Sequence, residues 1–246
     1  MKQDQGQAGS SFPGVPVLSL VALVLLFTAL GLWQVKRLAW KEALIAKVEQ
    51  RVDAPPVAPP DEAAARASSL PELEYLRVRL AGAYVASGTA LVRAVTDLGA
   101  GYWVLTPLRT EDGRLIYINR GYVPTGSRLE AARAATPQGQ VSIVGLLRLT
   151  EPGGGFLRSN DPAGDRWYSR DVEALARARG LSHVAPFFVD AQTEGTAAAR
   201  PAGSPVPGLT VIRFANSHLS YALTWFAMAA GSLGLAFWLW RRGAAA

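Results

Sequence analysis

The chain contains no cysteine among its 246 residues. Disulfides, thiolate catalysis, iron–sulfur ligation and cysteine zinc sites are therefore excluded. The absence assigns no compartment, because a domain of ordinary size can fold in an oxidising space without a bridge. Histidine is nearly absent too, with only His183 and His218 present. A metal site built on both would need help from Asp or Glu. No P-loop, G-x-S-x-G or H-E-x-x-H pattern occurs, nor a dinucleotide-binding glycine pattern. The acidic residues form no convincing pair, so the residues give no support to an enzyme. No zinc finger, RNA-binding signature or DNA-reading helix is present, and nucleic acid is not an expected partner.

Charge is missing from two long stretches, residues 5–35 and 219–240. The first contains VPVLSLVALVLLFTALGLW, ending at Trp33. About 20 helical residues cross the hydrocarbon core of a bilayer. Trp33 and Trp40 suit its interface, and Lys36, Arg37 and Lys41 would stop further entry. A cleaved signal peptide is the competing reading. However, Lys2 is a thin basic start, no clear A-x-A site follows, and the apolar stretch exceeds the usual h-region of about 7–15 residues. An uncleaved anchor is expected. The second stretch carries Tyr221 and Trp225 near one end and Trp238 and Trp240 near the other, followed by Arg241 and Arg242. That is an aromatic-belt pattern. Ala227, Gly231 and Gly234 would let another helix approach closely.

Two spans place both termini on one side. Arg241 and Arg242 argue for cytoplasmic tails, whereas Lys36, Arg37, Lys41, Lys47 and Arg51 argue the reverse. The formal charge of +6 beside such runs points to anionic lipid before DNA.

The layout expected is a tail over 1–14, a first membrane helix over 15–35, a helical extension and Pro/Ala-rich connection over 36–72, a β-rich domain over 73–218, a second membrane helix over 219–240, and a tail over 241–246. Residues 54–72, rich in Pro and Ala, read as poorly ordered. Beyond them, Leu76, Val78 and Leu80 alternate with Arg77 and Arg79, a period of two with one wet face. ALVRAV is a second short strand. GYWVLTPL and RLIYINRGYV flank the turn RTEDG and predict a hairpin. QVSIVGLLRL, APFFVDA and GLTVIRF complete about seven strands. One helix interrupts them, with Asp171 as N-cap, Arg177 and Arg179 in the last turn, and Gly180 as the stop. The fold class is a membrane protein in which two transmembrane helices flank one β-rich α+β domain, a small barrel or a sandwich.

His218 is the candidate of most chemical interest. It stands in NSHLSY at the mouth of the second apolar run, with Tyr221, Ala222 and Trp225 at helical spacings of three, four and seven. Imidazole is a good axial ligand for haem iron, and an aromatic stripe could pack on a macrocycle. The bland reading is an interfacial histidine that contacts headgroups. His183, after the helix stop, reads as a surface-loop residue. Asn119, Arg120, Asn160, Trp167 and Asp171 could line one end of the domain and bind carboxylates such as haem propionates, as could Arg213. Such residues also commonly secure turns. The tract 193–208 is assigned no role.

Several segments together are specific. GLWQVKR (31–37), GYWVLTPL (101–108), YINRGYVP (117–124), WYSRDVEALA (167–176), FFVDA (187–191) and NSHLSYALTWFAMA (216–229) occur in this order. In them the chain resembles the Surfeit locus protein 1 family, cytochrome c oxidase assembly factors. The resemblance implies a non-enzymatic role in maturing subunit I of haem-copper oxidases, with haem a bound transiently and inserted. It implies that His218 corresponds to the histidine implicated in that binding; Tyr221, Trp225, Arg120 and Arg213 are the candidate contacts read from the residues themselves. It also implies a periplasmic domain in bacteria, or an intermembrane-space one in mitochondria. With no transit-peptide character, a bacterial inner membrane is expected. Subunit I, membrane lipid, and haem a synthase or other assembly factors are the implied partners. Two other readings stay open: a chaperone of subunit I that holds no haem, and a membrane-anchored enzyme of haem metabolism.

Overall fold

A computed structural model describes residues 14–155, 157–196, 203–209 and 216–244. Its helices are α1 (Gly14–Asp53), α2 (Glu62–Arg66), α3 (Leu129–Ala134), α4 (Val172–Ala178) and α5 (His218–Ala244). Its strands are β1 (Arg77–Tyr84), β2 (Ala90–Thr96), β3 (Gly99–Thr110), β4 (Leu115–Pro124), β5 (Gln140–Leu149), β6 (Gly154–Gly155), β7 (Arg158–Ser159) and β8 (Val184–Thr196). The chain divides into two compact units, one of Met1–Lys47 with Arg213–Ala246, the other Val48–Ile212.

In the helical unit, α1 and α5 are each long and apolar enough to cross a membrane. Pro16 falls in the first turn of α1, where its missing N–H leaves no helical bond unmade. Leu18, Leu25, Leu26 and Leu32 of α1 and Leu219, Leu223, Leu233 and Leu235 of α5 are exposed. Apolar surface on this scale is consistent with a membrane protein. The two helices run antiparallel through a narrow seam. Phe27 stacks on Trp225 with ring centroids 5.6 Å apart. Gly31 lies so close to Phe226 that a Cβ there would sit 2.5 Å from the ring. Gly231 and Gly234 have nothing within 4 Å of a built Cβ, so they are not part of this seam.

The second unit is β-rich. Six strands run in the order β1-β5-β8-β4-β3-β2. β1 also pairs with β3, residues 82–84 facing 108–110, so the ladder returns to its first strand. Only β4 and β8 among these neighbours are parallel. Alternation along the strands sends side chains to two cores. Ile116 and Ile118 of β4 join Phe187 and Val189 of β8 in one. The intervening Tyr117 and Phe188 join Trp167, Val172 and Leu175 in the other, where α4 covers the sheet. β4 is consequently buried on both faces, from Leu115 to Val123.

The RTEDG hairpin is present, with Gly113 at φ +84° in its turn. The β1 alternation is also observed: Val78 and Leu80 are buried and Arg79 is exposed. The Asp171 carboxylate accepts from Ala174 N at the start of α4. At its end, Gly180 at φ +63° lets Gly180 N and Leu181 N bond back to Arg177 and Ala176.

One expectation is corrected. Residues 54–72 are ordered structure. Val57 exchanges backbone hydrogen bonds with the β1 segment, to Arg77 O at 3.0 Å and from Arg79 N at 2.8 Å. Asp61 caps α2 by accepting from Ala64 N, and Ala65 is buried in the first core. The Pro and Ala content hid one paired residue and one capped turn, enough to fix the tract. The segment GLTVIRF, expected as a strand, lies outside the described residues from Thr210 onward.

Candidate functional site

His218 is the first residue of α5 and is half-buried. Its Nδ1 lies 2.7 Å from Oε1 of Gln34 on α1. Its backbone N–H donates to Asn216 Oδ1 at 3.4 Å. Its Nε2 has no hydrogen-bond partner among the described residues. Gln34 is nearly buried, at 9% exposure, and sits on the α1 face already defined by Phe27 and Gly31. Tyr221, one turn beyond His218, is exposed, and so is Trp33, beside Gln34. Trp225, expected to flank the same apolar face, is stacked on Phe27 and half-buried.

The β-rich unit holds the other candidates in two polar networks. Arg120, expected at a propionate, is enclosed there. Its side chain has 0% exposure and that of Glu194 2%. Arg120 Nε donates to Glu194 Oε1 at 2.9 Å, Nη1 to Thr136 Oγ1 at 3.1 Å, and Nη2 to Ala135 O at 3.1 Å. Tyr84 covers the guanidinium with its ring and donates its hydroxyl to Glu194 Oε1 at 2.7 Å. Burial, with the Glu194 charge adding to it, pushes the Tyr84 hydroxyl well above its ordinary pKa, so it stays a neutral donor. Every nitrogen of Arg120 is thus committed inside the fold.

Asn119, on the same strand, opens the second network by donating to Asp190 Oδ1 at 2.8 Å. Arg148 and Arg170 also reach Asp190, at 3.1 and 3.3 Å. Arg148 continues to Glu74 and Arg170 to Glu151. Asn119, Arg148, Arg170 and Asp190 line a cleft of about 220 Å³. Asn160 binds Ser169, while Trp167 is a core residue with its Nε1 donating to Asp165. Asp171 serves α4 as its cap. Asn160, Trp167 and Asp171 thus serve the fold through these bonds. Arg213 lies outside the described residues. His183 is in an exposed loop at φ +55°.

The Glu151–Arg170 pair gives a pH test. Burial pushes the Glu151 carboxyl up, but hydrogen bonds and charge from Arg170 outweigh it, and the net shift is downward. A depressed carboxylate contributes stability above its unfolded pKa of about 4.3, and that contribution is lost as pH falls through the folded value. Arg170→Gln should therefore be less stable than the wild type at neutral pH. The gap should narrow progressively below about pH 4. Urea unfolding across pH measures it; a gap independent of pH would show that the pair does not set it.

Glu194, Asp190 and Gln34 were not singled out by sequence. The first two are distant in sequence from the arginines they neutralise. Gln34 stood in the GLWQVKR segment, but nothing local marked its amide as a partner of His218. Among the described residues no group of three or more His, Asp or Glu could hold a metal ion. A single imidazole is a sufficient donor for haem iron. His218, with one ring nitrogen bonded, the other without a partner among the described residues, and exposed aromatic surface beside it, fits that requirement.

Fold and site together define a class: a β-rich domain carried between two apolar helices, with an imidazole at the mouth of the second. The sequence profile of the SURF1 family matches residues 21–230, and the chain belongs to that family. Mouse Surfeit locus protein 1 is 36% identical over 225 residues, covering 85% of this chain and 70% of the mouse protein. Human Surfeit locus protein 1 is 34% identical over 248 residues, covering 92% and 78%. A SURF1-like protein of Monosiga brevicollis is 35% identical over 238 residues, covering 92% and 87%.

Proposed function

We propose that this chain is an assembly factor for haem-copper (cytochrome c) oxidase, which holds haem a through His218 and aids its insertion into subunit I. Family membership and the state of His218 support this reading, and the second carries it: Nδ1 is engaged by Gln34, and Nε2 has no partner among the described residues. Bound haem would supply an iron centre for that nitrogen and a flat apolar surface for neighbouring aromatics. The chain's own part is to anchor, present and release. α1 and α5 hold the site at a membrane, Gln34 orients the imidazole, and Tyr221 offers exposed ring surface next to it. No bond of a substrate is made or broken, so the role is that of a chaperone rather than an enzyme. The chain sits in a bacterial inner membrane with its β-rich domain in the periplasm and both tails in the cytoplasm. Subunit I is the principal partner, with haem a synthase as the donor and surrounding lipid as the solvent of the helices.

The test is His218→Ala, expressed beside wild type in cells that make haem a. Membrane levels are matched first. The purified variant should lose the Soret absorption of the wild-type protein, and active oxidase should fall. Wild-type absorption together with full oxidase activity would overturn the proposal. A wild-type protein that carries no haem yet raises subunit I levels would favour a chaperone acting on the polypeptide alone.

A further inference from the structure

We infer that Gln34 is the positioning residue of this site: its side-chain carbonyl takes the Nδ1 proton of His218 and so keeps the Nε2 lone pair free for a ligand. The inference rests on the reading of His218 as a haem ligand and adds the residue that makes it one.

A neutral imidazole has one N–H and one lone pair, and the partner of one nitrogen decides the state of the other. A carbonyl oxygen only accepts, so across the 2.7 Å contact with Gln34 Oε1 we assign Nδ1 as the donor. Nε2 is then deprotonated, with its lone pair directed away from Gln34. Without such an acceptor the ring could place its proton on Nε2, and the lone pair would be lost to a metal.

The location of Gln34 makes it a fixed acceptor. It follows Phe27 and Gly31 at helical spacings of seven and three, on the face that meets α5. The Phe27–Trp225 stack and the Gly31–Phe226 contact set the separation of the two helices over the adjoining turns. Gln34 is nearly buried, so its amide needs a partner at this seam. His218 supplies it from the first turn of α5. The bond joins residues 184 positions apart in sequence. Only the antiparallel pairing of the two ends of the chain creates it.

The experiment reads the ring directly. The full chain, haem-free, is prepared in nanodiscs with 15N-labelled histidine, and His218→Ala assigns the two imidazoles. At mildly alkaline pH, two-bond 1H–15N correlations report which nitrogen of His218 carries the proton. Wild type should show Nδ1–H. Gln34→Leu should shift the ring toward Nε2–H and weaken binding of added haem a by about 10–100-fold, the usual effect of removing an outer partner of a metal ligand. Gln34→Glu retains an acceptor and should restore both Nδ1–H and affinity. A packing defect alone would not be rescued by the carboxylate. An Nε2–H ring in wild type, or a Gln34→Leu variant with unchanged tautomer, would overturn the inference. Should wild type bind no haem while Gln34→Leu still loses the Nδ1–H signal, the positioning by Gln34 stands and the haem reading falls.

Discussion

Arg120→Leu is expected to cost the β-rich unit about 3–5 kcal/mol, the usual penalty for stranding one charge of a buried pair. Glu194 would keep its Tyr84 bond but lose its ion pair with the Arg120 guanidinium, in a place where its side chain is 2% exposed. Thr136 and Ala135 would each lose a donor as well. The loss should appear as a lower urea midpoint for the detergent-solubilised chain and faster digestion of the unit by trypsin. Arg120→Leu combined with Glu194→Leu should recover much of the deficit, because two apolar side chains of similar volume leave no buried charge. Had Arg120 been free to hold a propionate, the single variant would reduce haem loading with stability intact. A urea midpoint within error of wild type would refute the structural role.

The neighbouring glycine carries the second large effect. Gly121 has φ +123°, and a Cβ built on it would lie 2.0 Å from the carbonyl oxygen of Val206. The approach is that close because Tyr122 and Val206 exchange two backbone hydrogen bonds, both 2.9 Å. Gly121→Ala therefore combines an unfavourable backbone conformation with displacement of residue 206 and loss of those bonds. We expect a destabilisation of at least about 3 kcal/mol from strain and bonds together. Gly113→Ala is the control. Its φ is +84°, with nothing within 4 Å of the added carbon, so it carries the conformational cost alone, about 1–2 kcal/mol. Urea unfolding of the two variants separates collision from conformation. Equal losses would show that the Val206 approach does not matter.

What could be read from the sequence was local. The RTEDG hairpin, the Asp171 cap and Gly180 stop, and the alternation of Val78 and Leu80 each depend on neighbours within a few residues. The two apolar helices were legible from length and missing charge alone. Pairings across the chain were not. Arg120 was visible as a polar residue in a strand, but its partner Glu194 lies 74 residues later, in a tract assigned no role. The fixed order of 54–72 depends on Val57 finding the edge of β1, which no property of proline or alanine announces. His218 was found because histidine is scarce, whereas glutamine is not a residue that draws attention at the end of an apolar run.

The place of β8 has a consequence for how the β-rich unit comes into being. It is the last strand among the described residues, yet it lies in the interior of the sheet, between β5 and β4. Until residue 196 has left the ribosome, β4 and β5 have open edges, Ile118 and Leu147 have no cover from Val189, and Arg120 has no counter-charge. Local hairpins can form early, but the unit cannot close in the order of synthesis. Its relevant contacts span long loops, which makes maturation slow and leaves adhesive strand edges exposed meanwhile. Residue 218, where α5 begins, follows soon after. Closure of the β-rich unit and completion of the second apolar helix thus fall in the same short interval of the chain's synthesis, and a delay in either leaves the other with an incomplete protein.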